Sequence, residues 1–383
     1  MIRVSAPGKA ILMGEHAAVY GRPALVAALD RRVYVEIEEV GSGPAGWVDL
    51  ELPELGIRRR DTWEELSDHA SRVRAAWRRL HSGIDPEGAE LSEIAEREDR
   101  SQLARIAVGE ALEALDESAR DSIARRDIEL RIRSEFPVGS GFGSSAAIAA
   151  AVVRAVFELA ERAIDDEALH AVSLEVERRQ HGSPSGVDNA TVIHGGILWV
   201  APDERGQDRR SLAITPLPID AGRDVLACLE VYQTGEPSES TGEVVSAVRT
   251  LRARDARVFG NRLDAMEETA TEFRRALSDD GRDRDARLAE AILAMRRFES
   301  CLEALGVVPE PVRECIRCIE ASGGAAKISG AGSLTGPGAG SLLTLHPRPE
   351  TLAGLGALSE YEQLEVRLGG DGLRLETSRG GAD

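Results

Sequence analysis

Lysine is almost missing from this chain. Of its 47 basic residues only Lys9 and Lys327 are lysines; the other 45 are arginines. A chain that uses arginine nearly wherever it needs positive charge keeps lysine for places where a compact ammonium fits and a planar guanidinium does not. Both lysines lie in or beside glycine-rich segments. Positive charge itself is in deficit, since 66 acidic side chains outnumber the basic ones and leave a formal charge of −19. Such a surface repels nucleic acid and anionic membrane, which both need a basic footprint. A polyanionic ligand would therefore need a local site of opposite field. No run of 18 apolar residues occurs, which excludes a membrane-spanning helix. The segment from Met1 to Gly8 has neither a basic leader nor a long apolar stretch, so a cytoplasmic location is expected. Cysteine is sparse as well: Cys228, Cys301, Cys315 and Cys318. The Cys315-x-x-Cys318 spacing has no second pair or nearby histidine to complete a zinc site, and it falls in an amphipathic helical pattern. These two read as half-buried helical thiols.

What is present suits two domains of medium size. The chain has 383 residues, 42% of them apolar, enough for two cores. Ile2, Val4, Val33, Val35 and Ile37 alternate with polar residues as half-buried strands do. Helical spacing recurs over about 62–82 and 99–120, with a loop at 82–88 between them. Residues 127–133 alternate as a strand and run through glycines into an apolar helix near 145–162. A second helix is expected near 166–180, then a strand at 196–201 and a polar turn at 202–212. From about residue 222 the pattern restarts, with a strand from Val225 to Tyr232, two long helices, and strands near 326–329, 340–346 and 364–375. This is an α+β chain with a break near residue 220, and it shows no internal repeat.

Four segments carry the chemistry. Pro137-Val-Gly139-Ser140-Gly141-Phe142-Gly143-Ser144-Ser145 places alternate glycines before a helix. Its backbone can then approach a bulky anion while the helix N-terminus faces it. It is neither a P-loop, lacking a lysine after the last glycine, nor a Rossmann fingerprint, since Ser144 takes the third glycine position. In the second, Glu177 near a helix end and Asp188 in a Pro/Gly-constrained loop could bring two carboxylates to one place. Magnesium wants one or two carboxylates, and phosphoryl transfer also wants an acceptor for the alcohol proton; acidic residues near loops are, however, usually only solvated. The third is Pro7-Gly8-Lys9 to Gly14-Glu15-His16. A lysine in an apolar β unit needs an anionic partner, for which Asp188 is the candidate, while His16 also suits a satisfied core position. The fourth, Ala326 to Gly340, is either a ligand-closing loop containing Gly330, Ala331 and Gly332 or a long hairpin turn.

In this order the segments resemble the GHMP superfamily of small-molecule kinases, which includes galactokinase, homoserine kinase, mevalonate kinase and phosphomevalonate kinase. Within it, Pro7 to Gly21 together with His181 to Asn189 is most similar to the mevalonate kinases. The resemblance implies a mixed N-terminal sheet with helices over residues 1–220 that binds ATP. A ferredoxin-like C-terminal domain over 221–383 would close the cleft between them. It implies ATP and Mg2+ as cofactors and mevalonate as acceptor, with no nucleic acid or membrane partner and a homodimer as an expectation. Residues 137 to 145 would wrap the ATP phosphates, with Pro137, Gly139, Ser140, Gly141, Phe142, Gly143, Ser144 and Ser145 in contact. Ser145 and Glu177 would hold the metal. Asp188 would be the catalytic base with Lys9 beside it. Glu15, His16, Thr241 and Gly330 to Gly332 would shape the acceptor site. Three departures stand out: Phe142 replaces a common leucine, Ser183 replaces a usual asparagine, and Ser333-Leu-Thr-Gly-Pro337 lengthens the last glycine motif. The last bears on how the cleft closes.

Overall fold

The computed structural model describes residues 1–43, 46–82, 99–136, 141–181, 184–203, 211–218, 222–279 and 281–376. Strand β1 (Ile2–Met13) turns through Gly14 to His16 into β2 (Ala24–Ser42). The hairpin β3 (Trp47–Leu52) and β4 (Ile57–Thr62) follows, then helix α1 (Trp63–His81). Thr62 and Glu65 cap α1 reciprocally, each side chain bonding the other's backbone N–H, so two of its orphan donors are satisfied. Helices α2 (Gln102–Ala114) and α3 (Glu117–Ile123) lead to β5 (Arg126–Ser134). Three helices then surround the glycine segments: α4 (Ser144–Leu159), α5 (Asp166–His181) and α6 (Val187–His194). The hairpin β6 (Ile197–Pro202) and β7 (Leu212–Leu217) completes this half.

The length of β2 is what joins these pieces. Its first residues pair with β6 and its later ones with β5, while β1 lies antiparallel along its other edge. β3 joins β5 in parallel, and β4 lies outside β3. Alternation along β2 and β5 sends Val33, Val35, Ile37, Ile128, Leu130 and Ile132 into the core. The alanine-rich α4 packs on β1 and β2, its small side chains allowing close approach.

The second half begins with a helical turn, α7 (Arg223–Leu226), and β8 (Leu229–Gln233). The sequence reading placed a strand from Val225 onward; the positive φ of Gly222 instead starts a turn that buries Val225. Four helices follow where two were expected: α8 (Thr241–Arg254), α9 (Ala256–Ser278), α10 (Arg284–Leu305) and α11 (Glu310–Ala321). Cys315 is buried on α11, but Cys318 is exposed rather than half-buried. Strands β9 (Ala325–Ser329), β10 (Ser341–Leu345) and β11 (Glu362–Leu364) complete a sheet ordered β11–β8–β10–β9, antiparallel throughout. That order, with helices bridging β8 and β9, is the ferredoxin-like arrangement. The expected strand over 364–375 reduces to β11, isolated bridges at Leu368 and Asp371, and a short β12 (Arg374–Leu375). β12 leaves the second sheet and pairs with β1 in the first. Arg32 fastens this return. It is almost fully buried and donates to the carbonyls of Asp371 and Gly372, both at 2.7 Å, and to Ser5.

The two halves meet over a broad contact. Tyr20 stands edge-on to Phe259 at 4.9 Å, and Arg22 pairs with Asp264 and Glu267 at 2.5 and 2.6 Å. The Arg274 guanidinium lies 4.7 Å from the Trp199 ring centre. Among the described residues no helix is long and apolar enough to cross a membrane.

Candidate active site

Lys9 lies within β1, at a register shift where the strand bows away from β2. Such an irregularity re-aims a side chain out of the regular alternation. Its backbone N–H donates to the Phe142 carbonyl at 2.8 Å, tying the strand to the glycine loop. Its buried ammonium sits 3.2 Å from Asp188 Oδ2. Asp188 was expected in a loop; it occupies the first turn of α6, which Gly186 opens with a positive φ. A carboxylate there faces the positive end of the helix dipole.

The glycine loop approaches from the other side. Gly143 has a φ of 71°, and a Cβ at this position would lie 2.6 Å from the Lys9 side chain. Only glycine allows the backbone so close to the lysine stem. Ser144 and Ser145 then start α4, whose first turn carries no side-chain cap. The N–H groups at this helix end and the helix dipole suit an anion. Ser145 Oγ donates to Glu177 Oε2 at 3.1 Å. Burial, and then the neighbouring Asp188, push the Glu177 carboxyl up to about 8, while the Ser145 hydroxyl and Lys9 hold it down. Hard oxygen donors of this kind, beside an anion site, suit a divalent cation that also takes phosphate oxygens.

From the second half, Gly330 brings its Cα so near the loop that an added Cβ would lie 3.6 Å from Gly141. His16 reaches the Ala331 carbonyl through Nε2 at 2.9 Å; burial pushes its imidazole down, with that carbonyl opposing. Glu15 forms a fully buried ion pair with Lys327, in which burial raises the carboxyl and lowers the ammonium while their attraction opposes both. Together these groups border one cleft of about 560 Å³, which Thr241, the first residue of α8, also lines.

Lys9, Glu15, His16, Ser145, Glu177, Asp188, Thr241 and Gly330 to Gly332 thus converge on one place. Gly141, Gly143 and Ser144 border the same cleft, whereas the Phe142 side chain turns into the core against Phe136. Pro137, Gly139, Ser140 and Ser183 lie outside the described residues. Glu239 was not anticipated. Its carboxylate accepts from Ser333 Oγ and Thr335 Oγ1, both at 2.6 Å, and from the Leu334 and Thr335 amides at 2.9 and 3.4 Å. Burial raises its pKa, but these hydrogen bonds outweigh that and hold it below the usual carboxylate range. The extra residues of the last glycine motif are therefore lashed to the segment before α8 and leave Gly330 to Gly332 against the loop. No sequence signal linked Glu239 to residues 333–335.

A family model described as "GHMP kinases N terminal domain" matches residues 106–196. The mevalonate kinase of Bos taurus is 30% identical over 407 residues, covering 99% of this chain and 96% of that protein. The chain belongs to the mevalonate kinase family. The human member is 27% identical over 406 residues, again covering 99% of this chain and 96% of its own length. A crystal structure of a mevalonate kinase superposes with a TM-score of 0.67, at 18% identity and with 97% of this chain and 100% of that one covered. The family's fold therefore extends across both halves, including the described residues between 40 and 120, where the sequence motifs are weakest.

Proposed function

We propose that the protein transfers the γ-phosphoryl group of ATP to the primary hydroxyl of mevalonate, giving 5-phosphomevalonate. The observation that carries this reading is the meeting of the Lys9–Asp188 pair with the uncapped N-terminus of α4 in one cleft. An aliphatic alcohol is a poor nucleophile and the transferring phosphoryl group is loosely bonded and highly charged, so positioning and charge neutralisation do most of the work. Asp188 takes the proton of the acceptor hydroxyl, or orients it for attack. Lys9, held at its backbone by the glycine loop, offsets negative charge at the reacting oxygens. The α4 N–H groups and the Gly141 to Ser145 backbone bind the phosphates. Ser145 and Glu177 are the oxygen donors that would hold Mg2+, which when bound neutralises phosphate charge. Gly330 to Gly332 close the acceptor side.

A phosphorylated acceptor would need further cations beside the cleft. Arg178 and Arg179 are the nearest candidates in sequence, but Arg178 pairs with Glu175, and Arg179 pairs with Glu175 at 2.7 Å and Glu110 at 3.5 Å. Neither borders the cleft, whose lining includes one arginine, Arg100, beside Leu55 and Leu103. The test is ADP release in a coupled assay with mevalonate, phosphomevalonate, homoserine and galactose. ADP with mevalonate alone is the expected result. Turnover of another acceptor in its place would reassign the substrate, and ATP binding without turnover of any would make the protein a non-catalytic nucleotide-binding regulator.

A further inference from the structure

Lys327 is the second of the chain's two lysines, and the phosphoryl transfer described above leaves it unused. It stands within β9, fully buried, and its ammonium crosses the junction between the two halves. Its three protons meet three acceptors: a Glu15 carboxylate oxygen, the Ile11 carbonyl at 3.1 Å and the Ile328 carbonyl at 2.7 Å. An ammonium is then satisfied, whereas the five N–H groups of a guanidinium would leave donors stranded where water does not reach. The site therefore accounts for a lysine in a chain that otherwise prefers arginine. The Phe298 ring lies 5.6 Å from the ammonium, and Glu299 accepts from the Ile328 amide at 3.2 Å.

Glu15, whose carboxylate Lys327 grips, is one of the residues lining the cleft, with its side chain fully buried behind that surface. Glu15 Oε1 is engaged, while Oε2 is buried and has no hydrogen-bond partner among the described residues. A buried carboxylate oxygen left unpaired costs free energy that a donor arriving in the cleft would recover. Glu15 and Lys327 are 312 residues apart and lie in different halves, so this geometry exists only when the halves are docked.

The geometry points to Lys327 as a positioning residue for the acceptor. By gripping one oxygen of Glu15 across the junction, it holds the other where the acceptor's second hydroxyl, the one that is not phosphorylated, donates a hydrogen bond. This rests on the kinase reading and adds to it a named recognition group, the tertiary hydroxyl of mevalonate. A site built to bond a substrate hydroxyl rejects the analogue that lacks it, because its own polar group is then left unpaired.

The experiment compares kcat/KM of the full-length protein for mevalonate and for 5-hydroxy-3-methylpentanoate, the same molecule without that hydroxyl. The wild type should prefer mevalonate by at least about 100-fold. In Lys327→Met, a change of similar volume, the preference should fall below about tenfold through loss on mevalonate alone, with KM for ATP within about twofold. Lys327→Arg should not restore it. If Lys327→Met does not fold, the double variant Glu15→Leu/Lys327→Met, which removes both charges from the junction, is read in the same way. A folded variant of either kind that keeps the wild-type preference overturns the inference, as does a wild type that accepts both molecules equally. A wild type that phosphorylates neither molecule sinks the kinase reading, and this inference with it. The two failures are distinct, since one shows in wild-type turnover and the other only in the ratio.

Discussion

Lys9 is held at both ends, its backbone by the Phe142 carbonyl and its ammonium by Asp188. Two substitutions separate these roles. Asp188→Asn removes the proposed proton acceptor but keeps the shape, and kcat should fall at least ~100-fold with folding intact by circular dichroism. Gly143→Ala puts a methyl group 2.6 Å from the Lys9 stem and strains a positive φ. The lysine must shift, and a displacement of about 1 Å at a reacting centre costs on the order of 100-fold in turnover; steady-state kinetics in saturating ATP would show it. Gly143 and Lys9 were flagged in the sequence, by the alternate glycines that a phosphate-binding loop would need and by the rarity of lysine, whereas Asp188 read there only as a loop carboxylate. The Glu15–Lys327 pair was not legible. Each partner was flagged, but nothing local says that a turn after the first strand meets a strand more than 300 residues later.

At the scale of elements, periodicity located the long helices of the first half well, but not α6 or the division of the second half into four helices, and it located strands unevenly. β3, β4 and β7 were missed because short strands near a sheet margin carry few alternating positions, and in β4 five of six residues are arginine, aspartate or threonine partners of other groups. The added residues of the last glycine motif also had no readable destination, since Glu239 recruits them through space. Glu239→Ala should therefore release the Leu334 and Thr335 amides, and hydrogen exchange should show both exchanging at least about tenfold faster. The corner of β4, α1 and α2 supplies a pH-dependent test. His69 on α1 is buried with no partner for Nε2 among the described residues; burial, then Arg105 and Arg72, push it down to about 4 from an ordinary 6.5, against Asp61 and Asp99. Between those values the unfolded chain holds the proton and the folded one does not. The contribution is thus present above pH 6.5 and lost as pH falls toward 4, amounting to up to about 3 kcal/mol. Urea unfolding at pH 7 and 4.5 should show this loss in the wild type and a much smaller one in His69→Phe.

For the whole molecule, the two-half α+β architecture followed from the restart of the pattern after residue 220, while the tightness of the junction did not. Arg22, Tyr20, Trp199, Ile11, Glu15 and His16 all engage the second half. With so many fastenings the cleft is assembled before any ligand arrives, and large opening would break a buried ion pair, which costs several kcal/mol. Small-angle X-ray scattering should accordingly give the same radius of gyration with and without ATP and acceptor, within experimental error. The surface charge of −19 leaves recognition of anions to the cleft's own groups.

β12 has a consequence for the order of assembly. The strand that carries Lys9 is synthesised long before its outer neighbour, residues 374 and 375. Until those residues emerge, β1 waits with one row of backbone amides and carbonyls open to any passing strand, and Arg32 waits for the carbonyls that will sheathe it. A nascent chain of this protein therefore stays vulnerable to aggregation until residues 374 and 375 emerge, and the strand that carries Lys9 is completed only by a segment made much later.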